Sequence, residues 1–247
     1  FLGRWLGRWG AVWAALFTAV SHGMVFYSQY YVQEMLLVLF ALMFLYCSLR
    51  FLEAGGIKWA LAAGVSAGLL HATKETCVLA FAAWGVALLL TAWPQLLALL
   101  RGVHAPSTPT RPQALAAVGM AVFVSVLFFT SFFTWWRGPL DSVLTYGQYL
   151  HRAEGEGSAA LHNKPFWYYF SLLSYTYREV GPRWTEAPVL LLALVGVLVA
   201  LFARRHDADD VGGPLNVPRF LAVYGVCLAL LLSLIPYKTP WNLLSFY

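Results

Sequence analysis

The sequence predicts an all-α fold, a polytopic transmembrane helical bundle of about seven to eight spans with a long extracytoplasmic loop. Two observations carry this reading. Of 247 residues, 60% are hydrophobic and only 11% charged, against about 45–50% apolar and about 25% charged in soluble domains. The apolar residues also fall into segments separated by charged, Gly-rich or Pro-rich breaks. The net charge of +5 is then a question of distribution across a bilayer, so the lipid bilayer is the implied partner and nucleic acid is not. Cys47, Cys77 and Cys227 each lie inside an apolar segment without Cys-x-x-Cys spacing, which reads as three small buried hydrophobes. Phe1 is not an initiator methionine and Tyr247 interrupts an apolar run, so residues 1–247 read as a single transmembrane module cut from a longer chain.

In chain order, a first span runs from about Gly10 to Tyr27, and the polar-aromatic break Ser28-Gln29-Tyr30-Tyr31-Val32-Gln33-Glu34 separates it from a second, Met35–Leu49. Arg50, Glu53, Gly55, Gly56 and Lys58 form the next turn. The third span, Trp59–Leu70, ends at His71-Ala72-Thr73-Lys74-Glu75-Thr76, and the fourth follows from Cys77 to about Leu90. A Pro-rich linker holding Arg101, His104, Pro106, Pro109, Arg111 and Pro112 leads to the fifth span, Ala114–Phe133. The extracytoplasmic loop occupies residues 136–186. Val189–Phe202 forms the sixth span, then come Arg204-Arg205-His206, an acidic turn, and a seventh span, Phe220–Ile235. Pro236-Tyr237-Lys238-Thr239-Pro240 breaks the chain before an incomplete eighth span.

Alternating loops assign orientation. One set carries nine basic residues (Arg4, Arg8, Arg50, Lys58, Arg101, Arg111, Arg204, Arg205, Arg219) against four acidic ones, and the other carries seven of each. Basic residues in short loops favour the cytoplasm, so the first set is cytoplasmic in a plasma membrane. The Gln33-Glu34 break, the Lys74-Glu75 motif, the long loop and the Lys238 turn then face outward. As a helix the twelve-residue third span covers only about 18 Å of a hydrocarbon core about 30 Å thick. That sets Lys74 and Glu75 below the outer headgroups, where irregular backbone needs protein or a wet cavity around it.

Charge at membrane depth is costly and marks a functional site by default. Thr73 as an N-cap with Glu75 in the first turn of the next helix is the plain structural alternative. In the functional reading Lys74 supplies positive charge for a phosphate, and Glu75 orients it or handles a proton. Glu34 reads either as a helix-terminus charge or as a carboxylate that could share a divalent cation with Glu75; the sequence leaves cofactors otherwise unknown. Phe166, Tyr169, Phe170, Leu173, Tyr177 and Val180 recur on one helical face, which predicts an amphipathic helix at the interface, a belt anchor or a sugar-stacking platform. His151, Arg152, His162, Asn163 and Lys164 precede it without a structural metal spacing. Pro236 and Pro240 bar a continuous helix around Lys238, whose charge either snorkels or faces the site.

Taken together, Ser28–Glu34, Ala72-Thr73-Lys74-Glu75-Thr76, the loop from Tyr146-Gly147-Gln148 to Tyr168-Tyr169 and Pro236-Tyr237-Lys238-Thr239-Pro240-Trp241 resemble the flippase-activity-associated family of archaeal-type glycosylation. That family is similar to the dolichyl-phosphate-mannose protein mannosyltransferases of the GT-C superfamily. The resemblance implies a membrane glycosyltransferase that takes sugar from a polyprenyl-phosphate donor and passes it to a protein or glycolipid acceptor on the extracytoplasmic face. It implies donor-phosphate contacts from Lys74, Lys238, Glu75 and His71, and a metal- or donor-site carboxylate at Glu34. Substrate-loop contacts would come from Tyr146, Gln148, His162, Trp167, Tyr168 and Tyr169. The catalytic acid would lie upstream of Phe1, so the segment by itself is expected to be inactive. The chemistry suits such a site, because acceptor activation needs a base and the departing phosphate needs cations. Glu75 is the expected counter-charge that keeps Lys74 ionised. A lipid-linked sugar flippase, or a non-catalytic assembly partner, would use similar polar breaks.

Overall fold

Eleven α-helices are described, and the one β-feature among the described residues is an isolated bridge between Asn163 and Tyr237. The computed structural model describes residues 3–102, 109–153, 162–175, 183, 185–202 and 215–247, with backbone alone at 150–153. His104, Pro106, Tyr177, Val180, Arg204, Arg205, His206 and the side chains of His151 and Arg152 therefore lie outside the description.

The N-terminal helix α1 (Gly3–Val20) kinks at Gly7, whose φ of 70° lies outside the helical range. It bends by 57° into α2 (His22–Ser28), where the Ser21 hydroxyl caps the new helix by accepting from the Met24 amide at 3.2 Å. The second apolar segment forms α3 (Glu34–Ala54). Gly55 and Gly56, at φ 61° and 92°, then make a turn that a Cβ would strain. It delivers α4 (Ile57–Thr73), followed by α5 (Cys77–Thr91), α6 (Trp93–Arg101) and α7 (Arg111–Phe129). Thr110 and Gln113 close a capping box at the start of α7.

Helix α4 is the packing hub, lying between α3 and α7. Its Gly64 and Gly68, four residues apart, let the α7 backbone approach closely. A Cβ at Gly64 would sit 2.3 Å from the Ala117 carbonyl oxygen, and one at Gly68 would sit 2.6 Å from the Val124 Cβ. Small residues at this spacing are the usual device for close helix pairs in lipid, where no hydrophobic drive separates helix from solvent.

After α7 the chain reverses through Ser131, Phe132 and Phe133, all with positive φ, a conformation unfavourable for residues with a side chain. Thr130, fully buried, offsets this by donating to the Val126 carbonyl at 2.7 Å and accepting from the Phe133 amide at 2.9 Å. Gly138 then meets the Phe129 carbonyl so closely that any Cβ would lie 1.7 Å from it. This reversal launches α8 (Gly138–Ala153), a helix inside the expected loop. Of the amphipathic helix expected at 166–180, the described residues form α9 over Tyr168–Ser174, and Tyr175 is already extended. Its Tyr169 and Leu173 belong to the protein core, packed with Leu243 and Phe220, and are not an interfacial anchor. Trp167, by contrast, is exposed.

Helices α10 (Ala187–Phe202) and α11 (Val217–Leu234) complete the chain before a 3-10 helix, Pro240–Ser245. That element lies where the incomplete eighth span was expected to begin, and Asn242, Leu243 and Leu244 are buried in it. The main core joins α3 (Leu45, Leu49), α5 (Ala83, Ala87) and α11 (Tyr224, Leu228). A buried carboxylate ties the ends together. Glu186 accepts from the Ser21 hydroxyl at 3.1 Å, the His22 amide at 2.8 Å and the Tyr247 hydroxyl at 2.6 Å.

Among the described residues three helices are long and apolar enough to cross a membrane, α3, α7 and α11, or up to five if the bent pairs α1–α2 and α5–α6 each count as one span. The expected seven to eight spans are not confirmed, because several apolar segments form short helices. Helix α4 has 17 residues, α5 15 and α10 16. At 1.5 Å per residue these cover about 22–26 Å, less than a hydrocarbon core of about 30 Å.

Candidate functional site

The break between α4 and α5 is only Lys74-Glu75-Thr76. Helix α4 runs three residues past the expected Leu70, so His71 and Thr73 are helical, and Thr73 donates to the Leu69 carbonyl at 2.7 Å in place of capping α5. The carbonyls of Lys74, Glu75 and Thr76 instead accept from the first amides of α5, at 3.1, 3.3 and 3.0 Å. With its donors satisfied in this way, the break frees the Lys74 and Glu75 side chains.

Lys74 adopts an extended backbone, φ −161° and ψ 145°, a conformation in which successive side chains diverge. Its ammonium forms a salt bridge with Glu34, a carboxylate 2% exposed in the first turn of α3. It also approaches the Asn242 side-chain oxygen at 3.4 Å. The counter-charge is thus Glu34, brought in from another helix, and not the adjacent Glu75. The Glu75 carboxylate makes no ion pair or hydrogen bond among the described residues, and it faces a cavity of about 500 Å³. The lining of this cavity includes the polar residues Gln33, Lys74, Glu75, Thr76, Thr239 and Asn242 and the aliphatic residues Val78, Leu79, Leu232 and Ile235. Tyr146, Tyr149, Tyr237 and Trp241 supply aromatic surface. Tyr146, which reaches the Cys77 sulfur at 3.8 Å, has its phenol pushed upward, first by burial, then by Cys77 and by the Glu75 charge.

Among the residues singled out from sequence, Lys74, Glu75 and Tyr146 line this cavity and Glu34 touches its lysine. The others lie elsewhere. His71 turns toward α7, its Nδ1 3.2 Å from the Ser125 hydroxyl oxygen and its ring 5.1 Å from Phe129. Gln148 is exposed and Trp167 likewise. Tyr169 is fully buried, its hydroxyl directed at Asn242 and the Thr239 backbone without closing a hydrogen bond to either; Tyr168 packs beside it, rings 5.4 Å apart.

Lys238 is 1% exposed and does not line the cavity. Its ammonium donates to the carbonyls of Lys164, at 3.1 Å, and Ile235. Burial lowers its pKa from the ordinary lysine value. Around it the Lys238 amide donates to the His162 carbonyl at 2.9 Å and the Lys164 amide to the Pro236 carbonyl at 3.0 Å, and the His162 ring lies 5.0 Å from Tyr237. Lys238 and His162 therefore hold Tyr237, a cavity residue, in place from behind.

Gln33, Thr239 and Trp241 fall inside motifs noted in the sequence but were given no site role there, and Tyr149 and Asn242 were not singled out. Tyr149 was findable, since it lies three residues from Tyr146 on one helical face. Asn242 was not, because a 3-10 helix after Pro240 delivers it. Among the described residues no three His, Cys, Asp or Glu side chains converge as a metal set, and Glu34, considered with Glu75 for a shared cation, is held by Lys74.

A family model described as dolichyl-phosphate-mannose-protein mannosyltransferase matches residues 1–129. No curated protein and no solved structure matches the chain. The matched segment runs from α1 through α7 and so contains both halves of the Glu34–Lys74 bridge. Because that match covers just over half of the 247 residues, the chain belongs to the dolichyl-phosphate-mannose-protein mannosyltransferase family, membrane glycosyltransferases of the GT-C type.

Proposed function

We propose that this chain is the donor-binding module of a glycosyltransferase that uses a polyprenyl-phosphate sugar on the extracytoplasmic face of the plasma membrane, with Lys74 as the phosphate-binding cation. The observation that carries the reading is the placement of the Lys74 ammonium, held by Glu34 and Asn242, on the wall of a cavity of about 500 Å³. That volume falls within the range of small-molecule sites, about 300–1,000 Å³. Its polar lining residues suit a sugar phosphate, and its aliphatic ones suit the first isoprene units. In transfer, negative charge grows on the departing phosphate, and a fixed ammonium in a water-poor site stabilises that charge more than water would. Glu34 pairs with the lysine without lining the cavity itself. Lys238 acts at one remove, by fixing Tyr237 and Thr239 at the rim. The acceptor, a protein or glycolipid hydroxyl, enters from the outer face, and its general base is assigned to no residue of this chain.

The test uses full-length protein in vesicles with a labelled polyprenyl-phosphate hexose. Lys74→Met should lower transfer at least tenfold, the scale of one lost charge-assisted contact of about 1.5–3 kcal/mol. Unchanged transfer would falsify the phosphate assignment. Loss of transbilayer donor movement in a protein that shows no transfer would instead favour the transporter reading.

A further inference from the structure

Glu75 is left over by the phosphate assignment. It lines the same cavity as Lys74, yet the lysine is already neutralised by Glu34, and the Glu75 carboxylate has no partner among the described residues. A free carboxylate beside a phosphate anion repels it, by about 1 kcal/mol at 4 Å even in water and more in a less polar site. It therefore has to serve a neutral, hydroxyl-bearing part of the ligand. An ionised carboxylate is purely an acceptor, with two oxygens and about four lone-pair sites, which matches adjacent hydroxyls that each donate once. The neighbouring surfaces fit the same chemistry. Tyr146 lies close enough to feel the Glu75 charge, and Tyr149, one helical turn along α8, lines the cavity with it. Aromatic faces accept the C–H side of a sugar ring, leaving its hydroxyl edge to a carboxylate.

We propose that Glu75, with Tyr146 and Tyr149 of α8, forms a sugar subsite in which the carboxylate takes two neighbouring hydroxyls of the hexose, so that this residue selects the donor by its sugar and not by its phosphate. The inference rests on the donor-binding reading above and divides its cavity in two. Lys74 recognises the part common to all polyprenyl-phosphate donors. Glu75 recognises the part that differs. Hydrogen bonds to a charged group account for about a tenfold to a hundredfold preference, and a site built to hold hydroxyls rejects an analogue lacking them because its acceptors are left unpaired.

The experiment compares binding of two probes to the full-length protein in vesicles, a polyprenyl-phosphate hexose and the sugar-free polyprenyl phosphate. Glu75→Gln is expected to weaken the hexose-bearing lipid about tenfold or more while leaving the sugar-free lipid bound at least as tightly as before, since a charge that repels its phosphate has gone, whereas Lys74→Met weakens both. Retained binding of the sugar-free lipid is the control for folding. If Glu75→Gln loses both lipids, Glu75→Asp, which keeps the carboxylate, is read in the same two assays. Selective loss of the hexose lipid in Glu75→Asp supports the subsite, and equal loss of both lipids overturns it. Glu75→Gln with undiminished hexose binding overturns it as well, with the donor-binding reading intact. Wild-type protein that binds neither lipid overturns the donor-binding reading and this inference together.

Discussion

Glu34 and Lys74, forty residues apart in sequence, form a salt bridge whose side chains are 3% and 13% exposed. Helix α3 begins where α4 ends, so the bridge fastens the start of one helix to the break after the other. Removing one partner of a buried pair leaves the other charge uncompensated, at about 3–5 kcal/mol, whereas removing both is far milder. Glu34→Gln and Lys74→Met are each expected to destabilise the protein by that order, and the double variant by clearly less than their sum. Chemical unfolding in detergent measures the coupling. Additive losses would show that the two side chains do not depend on each other.

The contact between α4 and α7 yields a prediction in which two substitutions of the same kind have opposite signs. Alanine is favoured over glycine in a helix by about 1 kcal/mol. At Gly64 and Gly68 a Cβ would run into the α7 backbone or Val124, at 2.3 and 2.6 Å, and such overpacking costs about 1–3 kcal/mol. At Gly85 in α5 nothing lies within 4 Å of the added carbon. Gly64→Ala and Gly68→Ala should therefore lower the unfolding midpoint, and Gly85→Ala should raise it slightly. A rise in all three would remove the close-approach argument.

The bundle and its central break were legible in the sequence because both rest on local signals. Apolar runs set the helices, and a Lys-Glu pair between two of them is conspicuous at membrane depth. What surrounds the pair was less legible. Glu34 could be recognised as a helix-start carboxylate, but its meeting with Lys74 depends on how α3 and α4 pack. Periodicity found the face of α9, yet Tyr169 and Leu173 look alike to lipid and to a protein core, since both are apolar. Lys238 was conspicuous for its charge, while its actual partners, the carbonyls of Lys164 and Ile235, are backbone atoms that leave no mark in a sequence. The three left-handed residues at Ser131–Phe133 carry no Gly or Asn signal either, so the reversal into α8 was invisible.

That reversal exposes Phe132, Trp135 and Trp136, which are 64%, 59% and 71% exposed. Together with Leu140, Val143 and Leu144 on the outer face of α8, they continue the exposed apolar surface of α7. Tryptophan settles at headgroup level. In vesicles, lipids brominated near the carbonyl end of the acyl chain should quench wild-type fluorescence more than they quench Trp135→Phe/Trp136→Phe. Equal quenching of the two proteins by these lipids would place the pair in water.

Lys238 gives a prediction whose sign depends on linkage. Its ammonium donates to two carbonyls, so Lys238→Met leaves two buried acceptors unpaired, at about 1–3 kcal/mol each. The same burial lowers the lysine's folded pKa below the ordinary 10.5, desolvation outweighing the neutral acceptors. Between the folded value and 10.5 the unfolded chain holds the proton that the folded chain has released. The unfolded state therefore binds more protons there, and stability rises with pH. Below the folded pKa the penalty for the buried charge is present in full. Wild-type stability should climb as pH is raised from the folded pKa toward 10.5, and the Lys238→Met curve should start lower and lack that contribution. Parallel pH curves for the two proteins would show that Lys238 keeps its ordinary proton affinity in the fold, leaving only the carbonyl contacts to account for its burial.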